Sequence, residues 1–349
     1  MAQQAYMTET VGGGSGPERP GSRLRRLLHR LFAGWRGDPG IWRRGIVLAV
    51  LALLLALVML LHSRIPNQVG NLGSLTETFL PWVGFAIPVL LLLGLLRKSA
   101  TALIAVLLPG IVWLNLFGGL LTDKSGSGGD LMVATHNVNA DNPDPAATAR
   151  SVASSGADVL ALEEVPSGAV PVYEKALAST YKYHGVVGTV GLWSRYPMTD
   201  VRAVDIKLGW QRAMRATVTT PKGRIAVYVA HMPSVRVKVE AGFTARQRDT
   251  SADALGEAIA EEPLKQVVLL GDLNGTMNDR SLNAVTAQMR STQGAAGSGF
   301  GFSWPASFPM ARIDQIMVRG VEPESSWTLP RTGSDHLPVA ARVKLDTSS

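Results

Sequence analysis

The 349-residue chain contains no cysteine. That excludes a disulfide framework and a cysteine nucleophile, and it leaves the compartment open. Residues 130–349 also lack any surplus of positive charge, with 22 Lys and Arg against 22 Asp and Glu. The overall charge of +7 belongs to residues 1–129, which hold 12 basic and 5 acidic side chains. Sequence-blind binding of long nucleic acids rests on a basic face that neutralises phosphates, so the balanced C-terminal part disfavours it. One local exception runs from Lys207 to Asp249. Lys207, Arg212, Arg215, Lys222, Arg224, Arg236, Lys238, Arg246 and Arg248 stand there against Glu240 and Asp249. Such a run is either a solvated surface or the lining of a cleft.

Hydrophobic residues make up an ordinary 46%, but three long apolar runs are crowded before residue 122. Residues 1–21 are rich in Gly, Ser, Gln and Pro and read as a disordered cytoplasmic tail. Residues 22–41 form a basic amphipathic pattern, with Leu24, Leu27, Leu28, Leu31, Phe32 and Trp35 at helical spacing among arginines. A helix of that kind lies on an anionic leaflet or packs on another protein. Residues 42–121 then hold three expected transmembrane helices, at about 45–61, 79–96 and 100–121, with Pro81 and Pro88 bending the second. No small-x-small cleavage site follows the first run in "HSRIPNQ", so it does not read as a signal peptide. Eight arginines precede the first run, and Arg97 and Lys98 separate the second from the third. Basic loops stay inside, which places the N-terminus in the cytoplasm and residues 131–349 outside a multi-pass cell-membrane anchor. Residues 122–130, "TDKSGSGGD", are a short flexible linker, so the outer domain works close to the membrane face.

The outer part alternates strand-like and helix-like segments, with strands at 131–138, 158–165, 267–270, 311–318 and 338–345. "RAMRATVTT" and "RIAVYVAHM" flank Pro221-Lys222-Gly223 and read as a hairpin. Polar residues recur at the strand ends. Asn137 ends the first strand and Glu164 the second; His231 ends the hairpin's return strand. In "VVLLGDLNGT", Asp272 and Asn274 stand two apart and so share one side of the chain. Asp314 opens the next strand, and Asp335-His336 precedes the last. Each has a plain alternative alone: a turn, a surface charge, a core histidine, or a partner for Arg312. Together they predict convergence on one pocket.

The ordered set "HNVN", "DVLALEEV", "GLWSRYPM", "VAHM", "GDLN", "RIDQI" and "GSDHLPV" resembles the motifs of the endonuclease/exonuclease/phosphatase (DNase I-like) superfamily. The resemblance implies an α/β four-layer α-β-β-α sandwich and a Mg²⁺-dependent phosphoesterase, with Mn²⁺ as the substitute metal. By that resemblance Glu164, Asn137 and Asp335 would hold the metal, which needs oxygen ligands and one or two carboxylates. Asp272 would deprotonate the attacking water, and Asn274 would donate to a phosphoryl oxygen. His231 and His336 would bond phosphoryl oxygens or protonate the leaving oxygen, with Asp314 holding His336 protonated. His136 and Glu163 stand where the family more often has an aromatic and a Gln.

The substrate is not fixed by the fold. An outer location, a short tether and a neutral domain point to a lipid-borne phosphate at the membrane surface. The layout of three spans and an outer phosphoesterase resembles the VanJ-type bacterial membrane proteins linked to teicoplanin resistance. That implies undecaprenyl pyrophosphate as substrate, cut to the monophosphate. The alternatives are a surface nuclease, a sphingomyelinase-like phosphodiesterase, or a non-catalytic binder of cell-wall lipids. Only about 40 residues separate His231 from Asp272 and Asp272 from Asp314, leaving little room for the extra loops that embrace DNA or a choline head group.

Overall fold

The computed structural model describes residues 40–68, 70–234 and 242–346. The expected tail at 1–21 and nearly all of the amphipathic helix at 22–41 lie outside the described residues. The helical part comprises α1 (Ile46–Leu60), α2 (Leu72–Thr78), α3 (Leu80–Val83), α4 (Ala86–Leu96) and α5 (Ala100–Phe117). The rest alternates strands and helices: β1 (Leu131–Asn137), α6 (Pro145–Ala153), β2 (Val159–Glu163), α7 (Val170–Leu177), β3 (Tyr183–Val187) and β4 (Val190–Ser194) come first. β5 (Met198–Ala203), β6 (Ala213–Thr220), β7 (Gly223–Ala230), α8 (Gly242–Ala260) and β8 (Val267–Asp272) follow. β9 (Arg290–Ser291), β10 (Asp314–Arg319), β11 (Val321–Thr328) and β12 (Val339–Leu345) end the chain.

Two six-stranded sheets form, ordered β11-β12-β1-β2-β4-β3 and β5-β6-β7-β8-β10-β9. Each is mixed: β1 runs parallel to β2 and β7 to β8, while the remaining pairs are antiparallel. Side chains alternate across each strand, and here both faces are covered, so the central strands read as unbroken apolar runs. Leu131, Val133, Val159 and Ala161 of one sheet meet Val227, Val229, Val268 and Leu270 of the other in the inter-sheet core. The opposite face of the first sheet packs Leu160 and Leu162 on Val152 of α6 and Tyr173 of α7. The opposite face of the second packs Tyr228 and Leu269 on Leu255 and Ile259 of α8. Helix, sheet, sheet and helix thus stack as four layers. The expected hairpin is present, with Thr220 opposite Gly223 across Pro221-Lys222.

The helical part departs from three straight rods. The helix over Ala100–Leu120, 21 residues, is long and apolar enough to cross a membrane. α1 has 15 residues, so it rises only ~22 Å against ~30 Å of hydrocarbon. The second run, Leu80–Leu96, is joined at its start to a further helix, Leu72–Thr78, and the two meet at 76°. Pro81 lies in the first turn of α3, where its missing N–H costs little, so the chain restarts a helix there instead of bending one. Pro88 likewise falls in the first turns of α4. Among the described residues, length and composition give one helix able to span, or two if the bent pair is a single span, and three spans are not confirmed. Residues 122–130 run along the second half instead of dangling: Lys124 N–H donates to Gly297 O at 3.4 Å, and Asp130 N–H to Val343 O at 2.8 Å.

The two parts meet at one end of the helices. Trp82 Nε1 donates to Met310 O at 2.7 Å, and Thr276 Oγ1 to Glu77 O at 3.2 Å. Arg248 of α8 is fully buried and donates to Ser74 Oγ at 2.9 Å, Asp279 Oδ1 at 3.0 Å and Asn274 O at 3.1 Å.

Candidate active site

The sheet topology collects the polar strand ends. β1 and β2 run parallel, with Asn137 opposite Glu163, so both finish at the same edge of their sheet. In the other sheet β8 is antiparallel to β10, which sets Asp272 directly opposite Asp314. His231 follows the end of β7, next to β8. A cleft of about 810 Å³ opens above these ends, lined by Glu164, Arg212, His231, Asp272, Asn274, Asp335 and His336 among others. Its opposite wall comes from the helical part: Ser74, Leu75 and Thr78 of α2, and Phe79.

Asp272 is buried at the base. It accepts from Asn137 Nδ2 at 3.0 Å, from the Asn274 backbone N–H at 2.9 Å and from Asn274 Nδ2 at 3.2 Å. Burial, with the Asp314 charge adding to it, pushes its carboxyl up to about 7 against the pull of His336. Asp314 accepts from Ser303 Oγ at 2.6 Å and pairs with His336 Nδ1 at 2.9 Å. His336 is buried, which alone would discharge it, but Asp314 and Asp272 win and raise it to about 10. Asp314 is held below its ordinary range although burial opposes this, chiefly by the His336 charge. His336 Nε2 lies 3.9 Å from Asp272 Oδ2.

His231 is also buried, with Nε2 3.5 Å from Glu164 Oε1 and 3.7 Å from Asp272 Oδ2. Burial, Arg212 and His336 depress it well below the ordinary histidine value, so it is neutral. A neutral imidazole can donate one hydrogen bond but has no spare proton for a leaving group. Of the two roles expected for His231, a neutral ring suits the first.

Asn274 and Asn137 already have partners within the site. Asn274, at φ 47°, gives its amide protons to Met232 O at 2.9 Å and to Asp272. It orients the carboxylate, and any bond to a phosphoryl oxygen would replace one of these. Asn137 is buried beneath the cleft, with Oδ1 accepting from the Asn139 N–H at 3.0 Å.

The remaining donors fit a hard divalent cation. Glu164 follows β2 with φ 58° and turns its carboxylate into the cleft. The turn after β1 ties the two expected carboxylates to one place: Ala140 N–H donates to Glu164 Oε2 at 3.2 Å, and Asn139 Nδ2 to Asp335 Oδ1 at 3.1 Å. Glu164, Asp335 and Asp272 put three carboxylates on one cleft, an oxygen-rich set of the type Mg²⁺ or Mn²⁺ binds. Ligand atoms of Asp272, Asp314 and His336 also lie within 4.8 Å of one another. That trio fits a metal less well, because a protonated His336 has no lone pair to give.

Arg212 escaped notice as a site residue. Its guanidinium packs 4.9 Å above the Trp210 ring and bonds the His231 ring at the cleft wall. The rest of its basic run disperses. Arg215 pairs with Glu262 at 2.9 Å, Lys207 with Asp205 at 2.8 Å, and Arg236 and Lys238 lie outside the described residues. The signal was the "WQR" triplet just before β6, where an arginine follows an aromatic at a strand start.

Solved structures share this fold at low identity. TDP2 of D. rerio, complexed with a single-strand DNA product, matches with a TM-score of 0.52 and 18% identity, over 61% of this chain and 98% of that one. An endonuclease/exonuclease/phosphatase from Bacteroides vulgatus matches at 0.52 and 17%, over 62% and 99%. A mannosyl-6-phosphatase of Bacteroides thetaiotaomicron matches at 0.51 and 16%, over 61% and 99%. No curated protein matches the chain. The model of the "Endonuclease/Exonuclease/phosphatase family" matches residues 134–336, the span that holds every polar site residue expected from the sequence. Those residues are more than half of the chain, which therefore belongs to that family of phosphatases and nucleases and is a metal-dependent phosphoesterase.

Proposed function

We propose that this phosphoesterase is anchored in the cell membrane and hydrolyses a lipid-borne phosphate at the outer face. The substrate would be undecaprenyl pyrophosphate, cut to the monophosphate in support of glycopeptide (teicoplanin) resistance. One observation carries the reading: the catalytic cleft is walled on one side by Ser74, Leu75, Thr78 and Phe79 of the anchor, so it opens where the helices end. Leu60, Phe79 and Phe117 cap α1, α4 with its preceding turn, and α5 at that same end, as three crossings with an outer domain require. The outward faces of these helices are apolar and exposed, at Leu51, Leu54, Leu92, Leu95, Leu107 and Ile111 for example. In water such a belt would aggregate, whereas in lipid it is covered. The layout resemblance to VanJ-type proteins supports the same substrate.

Glu164 and Asp335, with Asn137 beneath, would hold Mg²⁺, or Mn²⁺ in its place. When bound, the cation would withdraw charge from the phosphoryl oxygens and so lower the repulsion met by an incoming nucleophile. Asp272 takes a proton from water, which attacks the terminal phosphorus; the bond from that phosphorus to the bridging oxygen breaks, releasing inorganic phosphate and the lipid monophosphate. Attacking and leaving oxygens lie in line on opposite faces. His336 stands beside Asp272, so it bonds a non-bridging oxygen as charge builds, and Asp314 keeps it charged. Arg212 and neutral His231 add donors on the other wall.

Purified protein in detergent should release phosphate from the lipid pyrophosphate with Mg²⁺ and stop on addition of chelator. No release, together with efficient nicking of plasmid DNA, would put a surface nuclease in its place.

A further inference from the structure

A second concavity, about 580 Å³, lies beside the catalytic cleft, and no charged side chain lines it. Trp82 and Phe85, Gly110 and Trp113 of α5, and Phe300 and Phe302 line it. The anchor and the phosphoesterase domain build it jointly: Phe302 stacks on Trp82 at 5.7 Å, and Phe300 meets Trp113 at 6.2 Å. The same two chain segments line both concavities. Thr78 and Phe79 face the catalytic cleft, and Pro81 and Trp82 face the groove. Trp304 faces the cleft, and Phe302 the groove.

We infer that this aromatic groove seats the hydrocarbon chain of the lipid phosphate whose headgroup enters the cleft. The inference rests on the lipid-phosphatase reading and deepens it, since it makes the tail a recognised part of the substrate. Bulk lipid explains the groove less well. The lipid-facing surfaces of α1, α4 and α5 are aliphatic, rich in Leu, Val and Ile. Here residues of the outer domain join the helices in an apolar wall, two positions along the chain from residues that line the polar site. A headgroup held at Asp272 and a tail laid across Trp82, Trp113 and Phe302 would fix the phosphorus for in-line attack, with binding energy drawn from a part of the substrate that does not react.

Gly110 offers the test, because a side chain added there meets nothing within 4 Å and would project into the groove without a clash. Glycine is also a poor helix former, so replacing it does not weaken α5. Full-length protein in detergent is assayed with undecaprenyl pyrophosphate and with the five-carbon isopentenyl pyrophosphate. Gly110→Phe should lower the ratio of kcat/KM on the long to the short substrate at least tenfold, with Gly110→Leu in between. Ile104→Phe, an exposed position on the same helix outside the groove, should leave the ratio as in the wild type. An unchanged ratio in Gly110→Phe, with both substrates still hydrolysed, would overturn the groove and spare the lipid-phosphatase reading. Failure of the wild type on both substrates would instead remove that reading, and the groove assignment with it.

Discussion

Asp272 accepts three hydrogen bonds, which favour its charged form, yet burial and the Asp314 carboxylate hold it up to about 7. Its carboxylate is therefore present above that value and lost below it. If it is the base, kcat/KM should climb with pH toward neutrality and then level. Asp272→Asn should cost about 10²–10⁴ in kcat/KM and abolish that acid limb, the usual span for a positioned base. A pH–rate profile of the two proteins checks both points. His336 has the opposite sign. Its proton is kept up to about 10 by Asp314, so activity that needs imidazolium is retained through neutral pH and lost only above. In Asp314→Asn burial is left to act with less opposition, and the basic limb should move down toward neutrality. An unmoved limb would mean that His336 works neutral. These residues were legible in the sequence because each stands at, or just outside, one end of a strand. The state of Glu163 was not. Fully buried and taking a 2.6 Å bond from Thr135 Oγ1, it is raised well above the carboxylate range, so that a neutral carboxyl can stand in for the amide that the family resemblance implies there. Arg212 was hidden for the converse reason, as one of nine basic residues whose separate fates depend on long-range partners.

At the scale of elements, the strands could be read because those buried on both faces leave continuous apolar runs, as in Val267–Leu270. α2 could not. "LGSLTET" is polar by composition, and it is helical because Gly73, Ser74 and Glu77 are buried against the outer domain. The bend at Phe79 follows from that docking. Arg248 joins these elements. It pairs with Asp279 at 2.8 Å and bonds both Ser74 of α2 and the Asn274 carbonyl beside the base. Arg248→Ala would strand the buried Asp279 carboxylate, a change that typically costs about 3–5 kcal/mol. The expected outcome is a clear fall in unfolding temperature and lower kcat, since the Asn274 loop loses its support. Restoring stability with Arg248→Met plus Asp279→Leu should not restore kcat fully. A double variant as active as the wild type would show that Arg248 serves stability alone.

For the whole molecule, the sequence divides the chain into an apolar, basic first part and a neutral second part, and the structure shows what that division hides. The cleft belongs to both. Four of its wall positions, Ser74 to Phe79, come from the part that composition marks only as an anchor. Contacts between segments some 200 residues apart, such as Glu77 with Thr276, leave no local pattern to read. A phosphoesterase built this way should prefer phosphates presented by a membrane. Side-by-side rates on undecaprenyl pyrophosphate, sphingomyelin, plasmid DNA and free nucleotides, with Mg²⁺ and with the Asp272→Asn variant as blank, test that most directly. The lipid pyrophosphate should be turned over at least ten times faster than any other member of the panel, and only by protein with Asp272. Equal or faster cleavage of DNA or nucleotides would contradict it.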